Sequence, residues 1–220
     1  MTRPLMLFAA GFGTRMGALT ADRPKPLVEV AGRPLIDHAL DLALPVAGPI
    51  VVNTHYRAPQ LKAHLAESPV HCLYEDPILE TGGGLRNALP HLGTGPVFTL
   101  NSDAVWAGPN PLALLNAAWR DDMEALLLGI PPAQAIGHVG LGDFTPGPPV
   151  ARGPGLVYSG AQIIRTDGLA EIAEDAFSLN LLWDRMLVRG TLHILPYGGQ
   201  WCDVGRPEGI ALAEAMLADV

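Results

Sequence analysis

Short apolar runs alternate with amphipathic stretches through the first third of the chain, and this alternation constrains the fold more than any single motif. Pro4 to Ala10 reads as a buried strand, and Pro34 to Leu44 carries apolar residues at helical spacing with Pro34 suited to the first turn. Pro49 to Asn53 is a second strand, Pro59 to Glu67 an amphipathic helix and Val70 to Tyr74 a third strand. A βαβαβ pattern predicts a mostly parallel sheet with helices on both faces and ligands bound beyond the carboxyl ends of the strands. The later chain continues with strands at Pro96–Leu100, Met123–Ile130, Leu156–Ile164 and Leu192–Pro196. Helices are expected at Pro111–Trp119, from Phe177 with Ser178 as its cap, and at Pro207–Leu217. The expected architecture is an α/β, Rossmann-like three-layer sandwich, with residues 1–220 as one domain.

The stretch Leu7 to Leu27, LFAAGFGTRMGALTADRPKPL, opens directly from the first strand. Ala9, Ala10, Gly11 and Gly13 are small enough for backbone N–H groups to converge on an anion, and phosphate is the obvious candidate. Arg15 supplies a planar fork suited to phosphate oxygens, and Lys25 a compact point charge between Pro24 and Pro26. A dinucleotide fingerprint G-x-G-x-x-G fails because its third glycine falls on Met16, and no Gly-Lys-Ser/Thr of a Walker loop occurs. A surface loop with ordinary turn glycines is the alternative for Gly11 and Gly13 alone.

As a whole, Ala9 to Met16 (AAGFGTRM) followed by Lys25 to Leu27 (KPL) resembles the signature of the sugar-phosphate nucleotidyltransferases. The resemblance implies coupling of a nucleoside triphosphate to a sugar 1-phosphate, with release of pyrophosphate and Mg²⁺ as the cofactor. In such a site Ala10, Gly11, Phe12, Gly13 and Thr14 belong to the nucleotide-binding loop. Arg15 helps Gly11 and Gly13 hold the β- and γ-phosphates, and Lys25 sits between the α-phosphate and the incoming sugar phosphate.

Glu75 to Leu89 contains LETGGGLRNAL, three consecutive glycines before a helical run. The equivalent segment in the resembled family receives the nucleobase, making Glu80, Thr81 and Gly82 candidates, with Glu75 a further one. Uracil presents an N3–H between two carbonyls, so a carboxylate or backbone carbonyl pairs with N3 and N–H groups with the oxygens. A glycine-rich helix entry with Glu80 near its positive end is the alternative.

The fourth strand ends in Asn101-Ser102-Asp103, and an apolar strand finishing in a carboxylate suits Mg²⁺, which takes one or two carboxylates and fills its remaining positions with water and phosphate oxygens. A helix-capping aspartate is the other reading. Many members of the resembled family carry Gly-Asp here, and their W-x-D-V/I-G segment matches Trp201 to Gly205, implying that Asp203 completes the metal site. The proline-rich residues 131–155 read as a lid or hairpin. By resemblance they hold a small β insertion facing the sugar, with Gly142 and Asp143 as sugar-binding candidates and Ser159 and Gly160 as a second such element. Glycine inside a strand marks either a ligand's close approach or a plain bulge. Among the family's branches, the short form with LETGGG, the GDF segment and the W-x-D-V-G ending looks most like the N-acetylmuramate 1-phosphate uridylyltransferases of cell-wall recycling. Mannose 1-phosphate guanylyltransferases are near neighbours.

A formal net charge of −8 argues against nucleic acid or an anionic membrane as partner. Residues 1–33 nevertheless carry +3, so basic charge concentrates at the glycine loop. The chain has only two lysines, and one of them is Lys25. Cys72 and Cys202 are too isolated for a disulfide framework or zinc site. No signal pattern or membrane-length apolar run is present, so the sequence predicts a cytoplasmic protein. A nucleotide-binding regulator that lost the reaction is disfavoured by the joint presence of Arg15, Lys25, Asp103 and Asp203. A nicotinamide-dependent oxidoreductase is disfavoured by Met16.

Overall fold

The computed structural model describes residues 2–219. In chain order, β1 spans Arg3–Phe8, α1 Leu35–Ala43, β2 Ala47–Thr54, α2 Ala58–His64 and β3 Val70–Tyr74. Then come α3 (Glu80–Leu92), β4 (Val97–Asn101), β5 (Ala104–Ala107), α4 (Pro111–Ala118) and β6 (Ala125–Ile130). The chain closes with β7 (Val157–Ile164), α5 (Asn180–Arg189), β8 (Leu192–Pro196), β9 (Gln200–Asp203) and α6 (Glu208–Ala218).

Seven strands form the central sheet in the order β8-β6-β7-β4-β1-β2-β3. Neighbours pair in parallel except at β7, which runs antiparallel to both β4 and β6. The expected mostly parallel sheet is therefore present, and the order reverses at β1. The loop after β1 consequently lies in the crevice where such sheets bind ligands. The reversal of β7 has a second effect: its first residues, rather than its last, reach this edge.

Strand periodicity divides the core. Leu5 and Leu7 point to one face, where Ile36, Leu40, Leu112 and Leu115 of α1 and α4 cover them. Met6 points to the other face, against Leu85 of α3, and α5 brings Leu182 and Met186 to that side. Leu5, Met6 and Leu7 are all completely buried, each stabilising the fold by roughly 1.5–3 kcal/mol. This two-sided burial explains why the strands read as continuous apolar runs rather than alternating ones.

A smaller sheet of β5, β9 and residues Ala135–Ile136 stands beside the first. The sequence did not announce it, because each strand is only two to four residues long. Its third hydrophobic cluster packs Cys202 and Val204 with Ala213 and Met216 of α6, and with Met16, Val28 and Leu35. The proline-rich segment contains a two-residue ribbon, Phe144–Thr145 against Ala151–Arg152. Two expectations need correction. The last long helix but one begins at Asn180 after Leu179, so Ser178 is not its cap residue, although its Oγ accepts from Asn180 N. The three glycines of LETGGG lie inside α3, not ahead of it.

Candidate active site

The glycine loop is held open from behind by a buried polar chain. Ala9 N–H donates to Asn53 Oδ1 at 2.7 Å, and Asn53 Nδ2 donates to Glu75 Oε1 at 2.9 Å. Leu79 N–H donates to Glu75 Oε2 at 3.3 Å. Asn53 and Glu75 are only 3% and 1% exposed, so both carboxylate oxygens of Glu75 face inward. Glu75 is therefore a post between β1 and the approach to α3, and not a group presented to a base. The polar residue ending each apolar strand was its signal in sequence, the same signal that marked Asp103.

Gly13 has φ +66°, and a Cβ there would lie 2.9 Å from Lys25 Cβ. Its carbonyl accepts from Met16 N and Thr20 Oγ1, closing the tight turn Thr14–Thr20. Glycine thus lets the Lys25 segment cross directly behind the loop. Gly11 meets nothing within 4 Å at its missing Cβ and stays open. Phe12 points outward, half exposed, with His55 edge-on to its ring at 5.1 Å. Thr14 and Arg15 are exposed on the turn, and Arg15 lines a shallow groove with Arg206.

Lys25 Nζ reaches Asp103 Oδ2 at 2.7 Å, with side-chain exposures of 11% and 30%. Asp203 is brought alongside by the small sheet: it pairs with Ala104, and Val204 N–H donates to the Asp103 carbonyl at 2.9 Å. This ladder brings together two residues 100 apart in sequence. Burial pushes the Asp203 carboxyl above its usual range, and the neighbouring charge of Asp103 adds to this; Lys25, Arg15 and His138 oppose it. Among the described residues no cluster of three or more His, Cys, Asp or Glu exists, so the protein offers no closed metal cage. Two neighbouring carboxylates that Lys25 only partly compensates fit the donor set of Mg²⁺, whose other positions water and phosphate oxygens fill.

Between the loop and these groups lies a cavity of about 240 Å³. Ala10, Gly11, Lys25, Glu80, Thr81 and Asp103 line it, together with Asn53, Ile78, Asn101 and Ser102, which sequence reasoning did not single out as ligand-facing. Phe12, Gly13, Thr14, Arg15 and Asp203 do not line it. Ser102, where glycine was expected by resemblance, donates its hydroxyl to the Phe8 carbonyl at 2.7 Å and fixes the end of β1. Gly82 is buried, and its N–H donates to the Phe177 carbonyl at 2.8 Å. The LETGGG backbone is therefore packed against protein rather than opened to a flat ligand.

The four sugar-side candidates cluster where β7 begins. Gly142 and Gly155 interlock at positive φ, Gly155 N–H donating to the Leu141 carbonyl. Asp143 Oδ2 accepts from Tyr158 N at 2.8 Å. Ser159 is 2% exposed, its carbonyl accepting from Trp201 Nε1. Gly160, at φ +87°, sits in a bulge of β7 where a Cβ would press on the Asn101 side chain. Of the two sequence alternatives for that glycine, the bulge is present, and the group that approaches it closely is the Asn101 side chain of the cavity wall.

Residues 5–154 match the model of the MobA-like NTP transferase domain. The chain is 38% identical to the N-acetylmuramate alpha-1-phosphate uridylyltransferase of Caulobacter vibrioides, over 97% of this chain and 96% of that protein. It is 33% identical to the protein of the same name from Neisseria meningitidis, over 96% of each. The crystal structure of HddC from Yersinia pseudotuberculosis complexed with GMP-PN superposes with a TM-score of 0.75 at 20% identity, covering 98% of this chain and 100% of that one. A cavity beneath a glycine loop, with Lys25 and Asp103 in its wall, accords with those matches, and the chain belongs to the MobA-like NTP transferase family, among its sugar-phosphate nucleotidyltransferases.

Proposed function

We propose that this protein transfers a uridylyl group from UTP to N-acetylmuramic acid 1-phosphate, releasing pyrophosphate, as a cytoplasmic step in recycling of cell-wall sugars. The observation that carries this reading is the Lys25–Asp103 pair at 2.7 Å in the wall of the glycine-loop cavity, with Asp203 laddered beside it. The choice of uridine and muramate follows the two relatives that cover essentially the whole chain.

A sugar phosphate oxygen attacks the α-phosphorus in line and pyrophosphate leaves, so the protein's work is positioning and charge neutralisation. The amides around Gly11 and Gly13, with Arg15, hold the β- and γ-phosphates. Lys25, held by Asp103, is aimed at the cavity, where its ammonium reduces repulsion between the α-phosphate and the entering sugar phosphate. A phosphate monoester is largely dianionic at neutral pH, so no general base is required. Asp103 and Asp203 would hold Mg²⁺, which supplies positive charge to the phosphates as negative charge shifts to the leaving group. Because the amides of Gly82 and Gly83 are taken by Phe177, base contacts fall to Glu80, Thr81 and the Ala10–Gly11 backbone. Gly142, Asp143, Ser159 and Gly160 are assigned to the sugar end by resemblance, and the Asp143–Tyr158 hydrogen bond holds the two segments together.

The test is pyrophosphate release from four nucleoside triphosphates against a panel of sugar 1-phosphates. UTP with N-acetylmuramic acid 1-phosphate is expected to give the highest kcat/KM. Preference for GTP or CTP, or for mannose or glucose 1-phosphate without turnover of the muramate, would overturn the assignment.

A further inference from the structure

Glu80 stands at φ +59°, a left-handed conformation that side chains other than glycine rarely adopt. Its neighbours explain how it is held. Phe177 N–H donates to the Leu79 carbonyl at 3.1 Å, and the Phe177 carbonyl accepts from Gly82 N and Gly83 N at 2.8 and 3.1 Å. One residue from a distant segment thus grips the backbone on both sides of Glu80. Leu179 N–H adds a bond to Thr81 Oγ1 at 3.0 Å.

The glycines make the grip possible. A Cβ on Gly82 would overlap the Phe177 ring, and one on Gly83 would overlap the Asp175 carbonyl oxygen. Arg86, one turn further along α3, locks the same segment: its guanidinium donates to the Ile172 and Glu174 carbonyls at 2.6 Å each and lies 4.9 Å over the Phe177 ring. Strained backbone that the surroundings over-determine is the signature of a group kept in place for a ligand. Here that group lines the cavity.

We propose that Arg86 and Phe177 are positioning residues for base recognition: segment 172–179, latched onto α3, forces Glu80 into the left-handed conformation that presents it to the nucleotide. The inference rests on the reading of Glu80 as a base contact, and it explains why Gly82 and Gly83 carry no side chain; Gly84 instead leaves room for the Glu75 carboxylate. A nucleotide selected by this enzyme is selected by a residue whose pose is set by a segment nearly 100 residues further along the chain.

Two measurements test it. In kinetics, Arg86→Leu is expected to raise the KM for the preferred nucleotide and lower its preference over the next base about tenfold each, leaving the KM for sugar phosphate within about twofold; Arg86→Lys restores little, because one ammonium cannot span both carbonyls. In thermal melting, Glu80→Gly is expected to raise the melting temperature by about 2 °C in the otherwise native chain, by release of left-handed strain, and to give no rise in the Arg86→Leu background, where the brace is already loose. Equal gains in both backgrounds, or unchanged base preference in a folded Arg86→Leu protein, would overturn the proposal. The melting arm does not depend on turnover, so it judges the brace even where the substrate assignment fails, and a panel without uridine preference would fault that assignment alone.

Discussion

The chain of hydrogen bonds behind the glycine loop has a fixed polarity, and exchanging that polarity tests it. Ala9 N–H needs an acceptor, Asn53 passes a donor onward, and Glu75 accepts twice, from Asn53 and from Leu79 N. Among the described residues no buried side-chain nitrogen or oxygen lacks a partner, so any single change leaves a deficit. Glu75→Gln weakens a charge-assisted bond or sets two donors face to face, at about 1–3 kcal/mol. Asn53→Asp places two carboxylates in contact at a buried position, at about 3 kcal/mol or more. Made together, the substitutions restore every bond: the aspartate accepts from Ala9 and from the glutamine amide, whose oxygen accepts from Leu79. The double variant should lie within about 1 kcal/mol of the native protein, a coupling of roughly 3 kcal/mol that only interacting residues show. Urea unfolding at neutral pH with a common slope measures all four corners of the cycle. A double variant that loses the sum of the two single losses would show that Asn53 and Glu75 do not interact as a pair.

Lys25→Ala is expected to lower kcat by about two to four orders of magnitude, roughly 3–5 kcal/mol of transition-state stabilisation, while circular dichroism and melting stay near native; an unfolded variant would make Lys25 structural. Gly13→Ala adds a methyl to a left-handed position 2.9 Å from Lys25 Cβ, so it should cost about 1–3 kcal/mol in urea unfolding and depress kcat beyond what lost stability explains. Asp203→Asn, studied in chelator, should raise the melting temperature. The native state pushes this carboxyl upward, so ionised Asp203 opposes folding; the gain from its removal is full above the native pKa and shrinks as pH falls through it. A gain that instead grew on acidification would contradict the sign.

Much of the fold was legible because the inner strands, buried on both faces, read as unbroken apolar runs, and the edge strands keep enough apolar residues between turn signals to show. Val70–Tyr74 and Leu192–Pro196 coincide with their expected bounds, and the other long strands differ by one to three residues at their ends. The small sheet escaped notice because pairing of Cys202 with Val105 is a long-range event that local periodicity does not encode. For the site, Ala10 and Gly11 of AAGFGTRM, Lys25 of KPL and the strand-end Asp103 line one cavity, whereas Arg15 lies on a separate groove and Met16 is buried in the core. Glycine was the ambiguous signal. Gly82 and Gly83 looked like room for a ligand, yet the space is filled by Phe177 and Asp175, and only the folded chain distinguishes the two. Glu75 was ambiguous for a similar reason: a carboxylate at a strand end faces either the ligand or the loop behind it, and the deciding partner, Asn53, lies 22 residues away.

Whether Asp103 and Asp203 act on one divalent cation beside Lys25 is decided by a Mg²⁺ titration of turnover for Asp103→Asn, Asp203→Asn and the double variant. Each single substitution should raise the Mg²⁺ needed for half-maximal rate and lower the maximal rate. The double variant should be little worse than the more damaging single one, because both remove ligands of the same ion. Multiplicative losses with an unchanged Mg²⁺ requirement would contradict the shared site.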